Sequence, residues 1–112
     1  MPSGRPLRAG DSVQSWNAEQ FDREMGCTEA EWLRSLPGAI GDHAWQRDGA
    51  AIAVRIGDGG SLAVQWRVEA PRVIALARIP RLMVSFRFAG MDDAQRHAFM
   101  KRFDLYMQRG GG

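Results

Sequence analysis

The feature that most restricts this chain is a change of hydrophobic period near Ala50. From there to Phe88 the apolar residues recur every second position, which puts alternate side chains on opposite faces of an extended backbone. Ile52, Val54 and Ile56 alternate with small residues and Arg55. Leu62, Val64, Trp66 and Val68 alternate with Ala63, Gln65, Arg67 and Glu69. Leu82, Val84, Phe86 and Phe88 alternate with Met83, Ser85 and Arg87. Gly57-Asp58-Gly59-Gly60 reads as a hairpin turn between the first two runs. Ala70-Pro71 breaks the second run, Arg72 to Ile79 reads as a third strand, and Pro80 marks a turn or bend before the fourth. Short connections between successive strands favour an antiparallel meander of four strands.

Helical signals flank the strands. Asn17 with Gln20 and Thr28 with Glu31 have the spacing in which a side-chain oxygen satisfies free N–H groups of a first turn. Two short N-terminal helices are expected, the first closed by Gly26 and the second by Leu36-Pro37-Gly38. Trp32, Leu33, Leu36 and Ile40 give the second its buried stripe, and Cys27, just before its cap, packs on Trp32. After Met91-Asp92 a longer helix is expected. Phe99, Phe103 and Tyr106, widened by Met100 and Met107, form one apolar stripe. Ala94, Ala98 and Leu105 form a second, and Asp93, His97, Lys101, Asp104 and Gln108 share a narrow polar side. Such a helix is expected to be covered on more than one flank. The fold class is therefore α+β: two short N-terminal helices, a four-stranded antiparallel meander and a long C-terminal helix on one sheet face. Residues 1–14 are expected to form a flexible arm and residues 15–112 a single domain.

Composition excludes more than it selects. Lys and Arg total 15 against 13 Asp and Glu, a formal charge of +2, so no large basic excess marks a dedicated nucleic-acid binder. Lys101 is the only lysine, and the remaining cations are arginines. A single cysteine cannot form an internal disulfide and suits a reducing compartment, so a cytoplasmic location is expected. The first ten residues lack the apolar run of a signal peptide. The apolar stretch from Val73 to Val84 is interrupted by Arg78, Pro80 and Arg81, so no contact with a membrane is expected.

No motif carries a reaction. Cys27 with His43 or His97 is the obvious nucleophile pair, but Cys27 has a packing role and no catalytic signature surrounds it. Two histidines and one cysteine, far apart, lack metal-ligand spacing. Glu29, Glu31, Asp92 and Asp93 sit in helical first turns, where the helix dipole explains them. The glycine turn at Gly57 runs into a strand and carries Asp58, so it is no phosphate loop. Terminal diglycine resembles ubiquitin-like and sulfur-carrier tails, but here it follows a helix and reads as a helix-ending glycine with a frayed tail. No catalytic residue, cofactor or metal ligand is assigned.

The surface of interest is the sheet face turned away from the helices. Parity places Arg55, Gln65, Arg67, Arg81, Met83, Ser85 and Arg87 there, and the third strand adds Arg72, Ile74, Leu76 and Arg78. Arg55, Arg67, Arg81, Met83 and Arg87 are the candidate interface, since Arg and Met are enriched in protein interfaces. The leading expectation is a non-catalytic interaction module, a homodimer or a binder of a protein partner. Single-stranded nucleic-acid binding by the arginines is the first alternative, although the face offers bases no aromatic ring. A small enzyme or ligand binder with a pocket between sheet and helix is the second.

The segments CTEAEWLRSLPGAIGDH and FMKRFDLYMQRGGG resemble a group of small uncharacterised proteobacterial proteins. The resemblance covers Cys27 to Gly112 and implies a soluble bacterial protein, with no activity, ligand or site residue attached. In element order alone, four strands followed by a helix is similar to the Whirly and related single-stranded-DNA-binding folds, which act as oligomers.

Overall fold

The computed structural model describes residues 18–110, with side chains to Gln108. The expected arm over residues 1–14, the Asn17 cap and the last two glycines lie outside them. Along the chain run β1 (Gln20–Met25), α1 (Glu29–Ile40), β2 (Trp45–Arg47), β3 (Ala51–Ile56), β4 (Gly60–Ile74), β5 (Ala77–Ala89) and α2 (Asp93–Gly110). The strands form one five-stranded antiparallel sheet in the order β1-β5-β4-β3-β2. The α+β class and the C-terminal helix packed on one sheet face are as expected.

Alternation decides which face carries the core. Ile52, Val54, Leu62, Val64, Trp66, Leu82, Val84, Phe86 and Phe88 are all buried. Register confirms that they share a side, because Val64 stands opposite both Ile52 and Phe86, and Trp66 opposite Val84. From the helices, Trp32, Leu36, Ala39 and Ile40 of α1 and Phe99, Met100, Phe103 and Met107 of α2 complete one apolar cluster. Its rings meet edge to face, with Trp32 on Trp66 at 5.6 Å and Phe86 on Phe103 at 5.6 Å, the arrangement aromatic quadrupoles favour.

The helix starts follow local chemistry. At α1, Thr28 Oγ1 accepts from the Glu31 N–H at 3.1 Å and Glu31 Oε1 accepts from the Thr28 N–H at 2.9 Å. The same reciprocal pair joins Asp92 and Gln95 ahead of α2.

Four expectations are corrected. The segment expected to be the first helix is strand β1, paired with β5 from Gln20–Arg87 to Met25–Leu82. Its inward positions are Phe21, Arg23 and Met25, and the arginine hides the alternation. Phe21 stacks on Phe86 at 4.8 Å, while the Arg23 guanidinium lies 5.3 Å from the centre of the Phe86 ring. The second helix does not stop at Pro37. It continues to Ile40, because burial of Ala39 and Ile40 outweighs the hydrogen bond that proline cannot donate. It ends at Gly41, whose φ of 75° suits glycine and whose N–H donates to the Pro37 carbonyl. The sheet has five strands instead of four, because β1 joins one edge and the three-residue β2 joins the other.

The last correction concerns the expected third strand over Arg72 to Ile79. No strand boundary falls at Ala70-Pro71 or at Pro80. β4 continues through the first and β5 through the second, and the two strands turn at Ala75-Leu76 between the paired Ile74 and Ala77. Between the Glu69–Arg81 and Arg72–Ile79 rungs, Ala70 and Pro71 stand opposite Pro80 alone, two residues against one. That is a β-bulge, where prolines without N–H groups are tolerated.

Candidate functional site

A few residues ahead of the bulge, β4 and β5 leave the rest of the sheet. β3 pairs with β4 only as far as Gln65, and β1 pairs with β5 only as far as Leu82. The remaining lengths pair with each other alone and form a projecting arm. Every residue from Ala70 to Ile79 is exposed. Val68, Val73, Ile74, Leu76 and Ile79 make up most of the large apolar side chains exposed on the described residues, with Leu76 fully exposed at the apex. The other two are Leu105 and Tyr106 on α2.

The outer sheet face carries no element among the described residues. Register brings Arg67, Arg81 and Met83 together on it: Arg67 is opposite Met83, and Arg81 is opposite Glu69. Arg87 lies on the same face between Ala63 and Gln20, and Arg55 lies opposite Ser61 towards the other edge. Parity thus places all five candidate residues on one face, spread along a middle of Ala53, Ala63, Ser61 and Ser85. Of the third-strand candidates, Arg72 and Ile74 reach this side. Arg78, opposite Val73, lies on the helix side, where it lines a shallow recess with Cys27, Thr28 and Glu29.

The arginines on this face do not form a bare cationic patch. Glu24 accepts from Arg72 at 2.8 Å and from Arg81 at 3.1 Å, and Arg67 donates to Glu69 at 2.5 Å. The Arg72 hydrogen bond, with Arg81 beside it, holds the Glu24 carboxyl below its usual range. Asp22, opposite Ser85, adds a further carboxylate to the face. Glu24 and Asp22 were absent from the sequence reading of this surface, because they lie on β1, which resembled a helix. Their period-2 spacing with Gln20 was the available signal.

A separate cleft of about 390 Å³ lies between the end of β1, the start of α1 and the last turns of α2. Cys27, Trp32 and Met107 line it, together with the Arg23–Asp104 pair at 2.6 Å. Burial raises the Cys27 thiol above its ordinary value, and Glu31 adds to the effect, so the sulfur is held as a thiol rather than a nucleophilic thiolate. Trp32 Nε1 is buried with no hydrogen-bond partner among the described residues. His43 is remote from Cys27 in its packing, with its ring 5.7 Å from Phe99 on α2. His97 is exposed on α2. Among the described residues no group of three or more His, Cys, Asp or Glu side chains is placed to hold a metal ion, and no helix is long and apolar enough to cross a membrane. The chain matches no protein-family model and shows no significant similarity to any curated protein.

Proposed function

We propose that this chain is a non-catalytic, cytoplasmic module that self-associates through its outer sheet face. One observation carries the reading: a whole face of a five-stranded sheet has no covering element among the described residues. Sheets of this kind commonly leave one face to solvent or a partner. Here the side chains favour a partner. Ala53, Ala63, Ser61 and Ser85 keep most of the middle low, with Gln65 standing opposite Ser85, so a second sheet can approach over the small residues. Arg55, Arg67, Arg81 and Arg87 stand around it with Met83, and Asp22, Glu24 and Glu69 lie among them. A surface with both signs of charge is able to complement itself across a two-fold axis. The same carboxylates oppose a nucleic-acid backbone.

Sedimentation equilibrium tests the proposal. The expected result is a reversible dimer whose dissociation constant rises at least about tenfold in Ala63→Glu, which places a charge in the low middle of the face. Arg87→Glu should weaken it less and make it less sensitive to salt. A chain that remains monomeric at the highest soluble concentration overturns the reading.

A further inference from the structure

The projecting arm differs from the flat face beside it, and its chemistry points to a different partner. We propose that the β4–β5 arm docks onto an anionic lipid bilayer, with its apolar tip entering the interface and its arginines meeting headgroup phosphates.

The first argument is the distribution of apolar surface. Val73, 60% exposed, lies on the helix side of the arm, and Ile74, 55% exposed, lies on the outer side. Leu76 is fully exposed at the apex between them. A flat protein surface covers one side of such a hairpin and leaves the other wet. A fluid interface closes around both sides and the apex together.

The second argument is charge. Arg72 flanks the apolar tip on the outer side and Arg78 flanks it on the helix side, on opposite strands. Arg67 and Arg81 follow nearer the sheet; Glu24 is shared by Arg72 and Arg81 and Glu69 pairs with Arg67, so four arginines face two carboxylates in this group and a net positive charge remains. The tip thus has an arginine on each side, Arg78 on the helix side and Arg72, which can exchange its Glu24 partner for a phosphate, on the outer side. Each guanidinium presents a fork of donors suited to phosphate oxygens. Basic residues beside an interfacial apolar segment favour anionic lipid.

The third argument is length. The tip extends three residues along each strand from the Arg72–Ile79 rung to the apex. At about 3.3 Å per residue it is about 10 Å long. That agrees with the roughly 5–10 Å to which interfacial segments bury their apolar faces. Pro71 and Pro80 lie just behind the rung, so the insertable part is the part beyond the bulge. This is peripheral docking. It is compatible with the lack of a spanning helix among the described residues.

Co-sedimentation of the full chain with extruded vesicles tests the proposal, using phosphatidylcholine alone and an equal mixture of phosphatidylcholine and phosphatidylglycerol. Binding to the mixed vesicles should exceed binding to neutral ones at least about tenfold and fall with salt. Leu76→Asp should weaken it at least about tenfold, as should the double variant Arg72→Glu/Arg78→Glu. The double variant Arg34→Glu/Lys101→Glu, whose exposed positions lie on the two helices and outside both the arm and the outer face, makes the same charge change and should lower binding less than about threefold. Leu76→Ser serves as a second tip variant should the aspartate disturb folding, which far-UV circular dichroism reads. Equal binding to both vesicle types, no binding, or full binding by the tip variants overturns the proposal. So does loss of self-association in Leu76→Asp with vesicle binding intact, because the arm then serves a second copy of the chain. The sheet-face dimer is judged separately by Ala63→Glu, so either idea can fail alone.

Discussion

Cys27 shows how a single residue can carry the chemical character of a nucleophile and still serve as packing. It is buried in the core cluster, and desolvation followed by Glu31 raises its ionisation above the ordinary thiol value. The unfolded thiol ionises first, so its contribution to stability is complete below that ordinary value and is lost as pH rises through the native one. Urea titrations from neutral to alkaline pH should therefore show a steeper loss of stability in the native protein than in Cys27→Ala. A thiol reagent should label the native chain far more slowly than the urea-unfolded one. Gly38 illustrates a different residue-level demand. A Cβ there would stand 2.8 Å from the Tyr106 ring, over which the Arg102 guanidinium lies at 4.8 Å. The Pro37-Gly38 pair that reads as a helix end is thus a notch where α2 approaches α1. Gly38→Ala should cost about 1–3 kcal/mol in chemical denaturation despite its better helix propensity. By contrast, Thr28→Ala, which removes a capping oxygen, should cost about 1 kcal/mol.

Among the elements, those specified by local chemistry were legible and those specified by distant partners were not. The caps at Thr28 and Asp92 involve residues three apart and could be read directly. The alternation of β3, β4 and β5 placed the core on the correct face. β1 misled because Arg23 occupies an apolar slot, which works only with the Phe86 ring beneath it and Asp104 beside it. β2 is too short for a period to appear. The turn at Ala75-Leu76 was invisible because neither residue is a turn former, and Ala75 adopts a φ of 54°, where glycine or asparagine is the usual occupant. The candidate face followed from parity, but its ion pairs depend on β1 and so were out of reach. In α2 the Phe99–Phe103 stripe is buried, whereas Ala94, Ala98 and Leu105 are exposed. Phe103→Ala should accordingly cost about 3–5 kcal/mol, and Leu105→Ala less than about 0.5 kcal/mol, both read from urea midpoints.

Over the whole molecule the architecture is lopsided. Both helices cover one side of the sheet, and the arm extends from one end. The opposite end holds the Asp58 turn, and close to it the start of α2 with Asp92 and Asp93, where Gly90 packs against the Gly59 carbonyl. At that end Asp93 is paired with Arg96, so among the described residues the two ends differ chiefly in apolar surface, most of which is exposed on the arm. Since no residue from Ala70 to Ile79 is buried, the arm should be dispensable for folding. Replacing residues 70–80 with Asn-Gly, which joins the paired Glu69 and Arg81 by a two-residue turn, should change unfolding stability by less than about 1 kcal/mol. Differential scanning calorimetry would register the comparison.

The two prolines facing each other at the foot of the arm have a mechanical consequence. Neither can donate to its neighbour, so the ladder is thinnest there, while the rungs on either side remain intact. Bending concentrates at the weakest joint, which makes this the natural pivot of a stiff boom. Amide hydrogen exchange should find the residues around it opening more readily than those of the central sheet, and the tip changes its angle of approach as the Arg72–Glu24 pair across the joint parts and re-forms.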